Sequence, residues 1–257
     1  MQRLKEILVL LLLFLLVMPA ETFAQSAGGQ ISRRAKTAAR KNVAKKTPSK
    51  STAKKPAAKK AVRSSKGVPV DLGLPSGTLW ADRNIGANSP EGYGDYFAWG
   101  ETHPKSVYDW STYKYCKGTK ETMTKYCTDS SYGTVDNKTV LEPADDAATA
   151  NWGNSWRMPT HEEQVELNEK CKWTWTTRNS VKGYKVTGPN GKSIFLPAAG
   201  FRDDSSVLYV GSCGFYWSAS LGESLPCNAW HMTFVSNYRY RYYYSRSDGY
   251  SVRAVAR

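Results

Sequence analysis

The sequence predicts an α+β domain of antiparallel strands, one or two short helices and long ordered loops, preceded by a disordered basic linker. Two observations set the fold class: apolar residues recur with a period of two along most of the second half, and helix signals occur at only one or two places. A third sets the boundary. All nine Trp and all sixteen Tyr of the 257 residues lie beyond residue 67, where a lysine-rich stretch gives way to an aromatic one. The organisation read from this is 1–24 as a signal peptide, 25–67 as linker and 68–257 as the folded domain.

The leader reading rests on Arg3 and Lys5, the apolar run 7–18 (ILVLLLLFLLVM), Pro19, and small residues at 22 and 24. A charged start, a short apolar core and a small-residue exit describe a cleaved secretory signal. Twelve apolar residues fall short of the roughly 20 that span hydrocarbon, so no membrane span is expected after cleavage. The chain is expected to be exported to periplasm, outer cell surface or medium.

Residues 25–67 hold fourteen Lys/Arg and no acid, with Ile31, Val43 and Val62 as the only large apolar side chains. Such a segment buries too little to offset its ordering entropy, and its charges repel. The formal net charge of +14 sits wholly on this stretch, because 68–257 carries twenty basic and twenty acidic residues. That balance excludes a basic globular nucleic-acid domain and leaves two readings of the linker: a solvated spacer, or a tether to an anionic polymer that binds without sequence preference and weakens with salt.

Within the domain, Thr160 followed by Glu163 is a capping box that starts a helix running to about Lys170. A second short helix is expected from Asp145 or Asp146 through Ala147, Ala148 and Ala150, with acid at its positive end. In 172–176 (KWTWT) both Trp share a face, and 183–187 and 193–197 flank the turn quartet 188–191 (GPNG), predicting a hairpin. Trp230, Met232 and Phe234 share one face. Tyr238, Tyr240, Tyr242 and Tyr244 share another, opposed by Arg239, Arg241 and Tyr243. Long loops are expected at 84–95, 100–122, 128–144 and 200–213.

No enzyme constellation is present. His103, His161 and His231 are scattered without metal-ligand spacing, and neither a nucleophile elbow nor a phosphate-cradling Gly loop occurs. The pairs Asp145/Asp146, Glu162/Glu163 and Asp203/Asp204 read as caps and solvated charges. The expectation is therefore a non-enzymatic protein with no cofactor and no metal. Five Cys in an exported chain invite pairing. Cys116 and Cys127 bracket a ten-residue loop, Cys213 and Cys227 bracket a strand and a Pro-containing loop, and both pairs are expected as disulfides, leaving Cys171 free.

Seven ordered blocks then carry a resemblance: residues 70–80 (VDLGLPSGTLW), 94–102 (GDYFAWGET), 145–153 (DDAATANWG), 156–160 (WRMPT), 194–202 (IFLPAAGFR), 214–220 (GFYWSAS) and 251–255 (SVRAV). Together they resemble the Fibrobacter succinogenes major paralogous domain family of exported Bacteroidetes-type proteins, which is distantly C-type-lectin-like. The WRMPT block with its Glu also parallels a block of formylglycine-generating enzymes, but the reactive Cys pair of those enzymes is not matched. The resemblance implies an exported recognition or adhesion module and implies that the partner of Cys171 is a Cys where this chain has Arg83.

Lectin-like domains bind through the long-loop region and neighbouring strands, here about 200–246. The candidate ligand residues on that basis are Tyr209, Tyr216, Trp217, Trp230, Arg239, Arg241 and Arg246: aromatic faces stack on sugar C–H surfaces and Arg forks hold carboxylate or sulfate. Trp217 and Trp230 also suit a core role, since each lies in an alternating strand. The resemblance further raises a calcium site, for which Asp136, Glu142, Asp145 and Asp146 form the acid-rich loop. The expected partner is a glycan or other anionic extracellular polymer; the competing reading is a structural component of the cell envelope that makes protein contacts.

Overall fold

The computed structural model describes residues 66–256; the leader and nearly all of the basic linker lie outside the described residues. Strands β1 (Pro69–Asp71), β2 (Leu79–Ala81) and β3 (Tyr96–Phe97) precede a long stretch of loop broken by 3-10 turns at Ser130–Tyr132 and Pro143–Asp145. Helix α1 (Ala147–Trp152), strand β4 (Trp156–Arg157) and helix α2 (His161–Lys170) follow. The rest is mainly strand: β5 (Lys172–Arg178), β6 (Val181–Thr187), β7 (Ser193–Pro197), β8 (Phe201–Asp203), β9 (Ser206–Leu208), β10 (Gly214–Leu221), β11 (Asn228–Val235), β12 (Tyr238–Ser245), β13 (Tyr250–Ser251) and β14 (Val255–Ala256). Among the described residues, mostly antiparallel sheets with two short helices give the α+β class. No helix among the described residues is long and apolar enough to cross a membrane.

The central sheet has the order β12-β11-β10-β13-β3, with a four-stranded sheet β1-β2-β14-β4, a three-stranded sheet β5-β6-β7 and the small β8–β9 hairpin around it. The β6–β7 hairpin forms in the register the sequence suggests, from Gly183↔Pro197 to Thr187↔Ser193. Its turn closes through Gly191 N–H on the Gly188 carbonyl, with Gly191 in the left-handed region at φ 82°. Both helix starts are also as read. Thr160 Oγ1 accepts the Glu163 N–H while the Glu163 carboxylate accepts the Thr160 N–H, a reciprocal cap. Asp146 caps α1 by accepting the N–H groups of Ala148 and Thr149.

Both faces of the central sheet are covered along β10 and β11. Tyr216, Met232 and Phe234 join Leu167 of α2 and Tyr184 and Val186 of β6 in one core. Phe215, Trp217, Ala219 and Tyr250 join Trp99, Tyr126 and the long-loop aromatics in a second. His231 and Thr233, which alternation places on a face apart from Trp230, are therefore buried rather than solvated.

Two guanidinium groups order the loops. Arg253, pulled down to about 10 by burial, donates to the carbonyls of Ala81 and Phe195 and to Asn84 Oδ1. Arg246 donates to the Tyr113 hydroxyl and to the carbonyls of Lys125, Tyr126 and Pro226, lying over the rings of Trp99, Tyr113 and Tyr126. Neither forms an ion pair with a carboxylate among the described residues, so the cost of burying the charge is offset by charge-assisted bonds to main-chain oxygens and, for Arg246, by ring faces.

All five Cys are free thiols, which corrects both expected disulfides. Cys213 precedes β10 and Cys227 precedes β11, and those strands are antiparallel with Gly214 opposite Phe234 and Leu221 opposite Ala229. The two Cys thus sit at opposite ends of a hairpin, roughly 25 Å apart at about 3.3 Å per residue, far beyond the reach of a disulfide. In the shorter loop, a bridge between Cys116 and Met123 closes the turn. Cys116 Sγ donates to the Trp110 carbonyl and Cys127 Sγ to that of Asp129, each turned to its own segment. Cys171 is half-buried beside Trp173, and Arg83 is engaged by Asp82. Thiol titration in denaturant without reductant is expected to count five; a count of one would restore the two bridges.

Candidate ligand-binding face

Strand β12 pairs with β11 in continuous register from Val235↔Tyr238 to Asn228↔Ser245. Opposed residues share a face, so Arg239, Arg241 and Tyr243 stand with Phe234, Met232 and Trp230 on the side that carries α2. On that side the ladder is occupied by the protein itself. Arg239 donates to Asn168 Oδ1 at 3.0 Å and lies over the rings of Trp173 and Tyr184. Arg241 lies 3.6 Å from the Glu169 carboxylate. Trp230 stacks on His161 at 3.9 Å and meets the edge of Tyr243 at 5.0 Å, so its ring faces are already in use. Desolvation lowers the pKa of His161, favouring the neutral ring against Trp230.

Three candidate residues are interior. Trp217 is 0% exposed and its Nε1–H donates to the Phe97 carbonyl. Tyr216 is buried with its hydroxyl donating to the Pro197 carbonyl. Arg246 is 0% exposed and follows the end of β12, where the strand alternation no longer applies. These three cannot touch a ligand, and the expectation that they do is corrected. The structure therefore separates the sequence candidates: Trp230, Arg239 and Arg241 form a half-buried seam with α2, and Tyr209 lies apart from them, stacked on Phe201 at 5.9 Å.

The opposite face of β12 is the open one. Tyr238, Tyr240, Tyr242 and Tyr244 stand at every second position, about 7 Å apart by strand geometry. Tyr238 and Tyr244 are 56% and 54% exposed, and none of the four hydroxyls bonds a protein group among the described residues. Burial lifts Tyr240 to about 12 and also raises Tyr244, so these two hydroxyls remain donors.

Near Tyr244 lie Asp203 and the buried Asp248, whose carboxyl is raised to about 7 by burial and by the Asp203 charge, with Ser245, Ser247 and the Tyr250 hydroxyl as its hydrogen-bond partners. Tyr250 also packs on His231, which burial drops to about 3. Composition gave no sign of Asp248, since a lone Asp in a Ser-rich turn reads as solvated.

The acid-rich loop is likewise committed internally. Asp136 accepts the N–H groups of Tyr126, Cys127 and Lys138. Glu142 and Asp145 share Lys125, with Lys138 and Lys114 beside them, while Asp146 takes the N–H of Met158 as well as capping α1. Burial works against ionisation of Asp145, but Lys125, Tyr115, Tyr126 and Lys114 hold it well below the usual carboxylate range. The four acids are thus spent on lysines and backbone rather than gathered on one point, and among the described residues no group of three His, Cys, Asp or Glu is placed to hold a metal ion.

No curated protein and no solved structure matches this chain. Residues 160–255, from the cap of α2 to β14, match the family model of a domain of unknown function (DUF8237), a span that includes the whole β10–β12 ladder.

Proposed function

We propose that residues 68–257 form an exported, non-enzymatic binding module that lays a hydroxyl-rich polymer, a glycan, along the tyrosine face of β12. One observation carries the reading: four tyrosines with free hydroxyls at alternate positions of an edge strand, exposed at both ends. Such a row offers ring faces for sugar C–H stacking and hydroxyls for hydrogen bonding at a spacing that suits an extended chain. The lectin-like character rests on the seven sequence blocks. Because Arg239 and Arg241 are engaged by α2, anion binding falls instead to the basic linker, as a salt-sensitive tether.

The test is a glycan and polyanion array probed with the full exported chain at low and high salt. Neutral glycans are expected to bind independently of salt, and Tyr238→Ala/Tyr244→Ala to weaken that binding about 10-fold, the product of two stacking contacts of about 0.5–1.5 kcal/mol each. Arg241→Ala is expected to change it little. An array blank for neutral glycans, with envelope proteins co-purifying, would replace this reading with that of an envelope assembly component.

A further inference from the structure

We propose that the outer edge of β12 pairs antiparallel with β12 of a second copy of this chain, joining two tyrosine faces into one continuous surface. The central sheet ends in β12, whose only strand neighbour among the described residues is β11. An edge of eight residues exposes a row of unpaired main-chain groups, and such edges are ordinarily blunted by Lys, Pro, bulges or short length. β12 has none of these: its sequence is YRYRYYYS and its register with β11 is unbroken. Its two charges do not guard the edge either, because Arg239 is drawn to Asn168 and Trp173 and Arg241 to Glu169 on the α2 side.

Self-pairing is favoured over open stacking by the shape of the sheet. The opposite edge is β3, two residues long, which offers no counterpart for head-to-tail addition. Pairing of β12 with itself about a two-fold axis uses up both long edges and closes.

Charge then selects the register. Opposed residues must share a face, so the axis passes through a residue. An axis at Arg241 sets Arg241 against Arg241, and an axis at Tyr240 sets Arg239 against Arg241; like charges directly opposed are destabilising. An axis at Tyr242 sets Arg241 against Tyr243, Tyr240 against Tyr244 and Arg239 against Ser245, so that no two guanidinium groups are opposed and Arg241 meets a phenol ring. An axis at Tyr243 also separates the charges but overlaps only 241–245, against 239–245 for Tyr242. The rings of Tyr242 and Tyr243, carried on opposite faces, stack at 5.1 Å over this edge at the axis itself, so the pairing requires that the stack open. This pairing is independent of whether the tyrosines bind glycan; if they do, it doubles the length of the platform.

The experiment is sedimentation velocity of the full chain over a concentration series, with hydrogen exchange of β12 read in parallel. The mean mass is expected to climb toward twice the monomer value, with alternate amides within 239–245 gaining protection over the same range. Tyr242→Lys, which sets two ammonium groups together at the axis, is expected to hold the mass at monomer, whereas Tyr238→Lys, outside the paired segment, leaves the dimer intact. A parent chain that stays monomeric throughout overturns the proposal, as does a dimer in which the β12 amides remain unprotected or which survives Tyr242→Lys.

Discussion

Arg246→Ala is expected to lower the unfolding free energy by about 4 kcal/mol or more, measured as the shift of the urea midpoint followed by Trp fluorescence. Truncation removes the donor shared by the Tyr113 hydroxyl and the carbonyls of Lys125, Tyr126 and Pro226. Buried groups left unpaired cost about 1–3 kcal/mol each, and a void opens between Trp99, Tyr113 and Tyr126. Against a total stability of roughly 5–15 kcal/mol, a loss of that size leaves the domain marginal. Arg246→Lys should recover little, since one ammonium cannot reproduce the fork that reaches three carbonyls. A shift below about 1 kcal/mol would mean that the guanidinium does not hold these segments, and the ligand role first read for Arg246 would return.

The second large effect is a pair of opposite pH slopes. His231 titrates near 3 in the folded state, below its unfolded value of about 6.5. Between those values the unfolded chain binds the extra proton, so this residue makes stability rise with pH. Asp248 is the reverse: its folded carboxyl titrates near 7, above an unfolded value of about 3.9. Its contribution is fully present below about 4 and is lost as pH rises toward 7. From about pH 4 to 6.5 the two slopes, each about 1.4 kcal/mol per pH unit, cancel. Asp248→Asn should therefore gain stability with rising pH relative to the parent, and His231→Gln should lose it, diverging by roughly 3 kcal/mol each across two units. Urea titrations at three pH values in this window decide the matter; profiles parallel to the parent's would show that neither group is held neutral in the fold.

The parts of this fold that sequence reasoning reached are those governed by neighbours in the chain. The Thr160–Glu163 box, the Asp146 cap and the turn at 188–191 each depend on residues a few positions apart. What it missed depends on distant contacts. Arg246 sits one residue past the end of β12, and its acceptors lie about 20 and 120 positions away. Cys213 and Cys227 are close in sequence yet separated by the whole length of a hairpin, because a strand intervenes. The alternation of β12 correctly divided Tyr from Arg but could not say which side α2 would cover. The open face proved to be the tyrosine one, and Asp248 became visible only once its burial was known.

The grip of the two buried arginines has a consequence for how this domain tolerates change. Each clamps mostly main-chain oxygens, which every amino acid supplies, so the segments they fasten are secured with little regard to the side chains those segments display. Outward positions around Lys125 and Pro226 can then be exchanged widely without loosening the clamp. A scaffold anchored in this way is suited to diversifying what its loops present while its interior stays fixed.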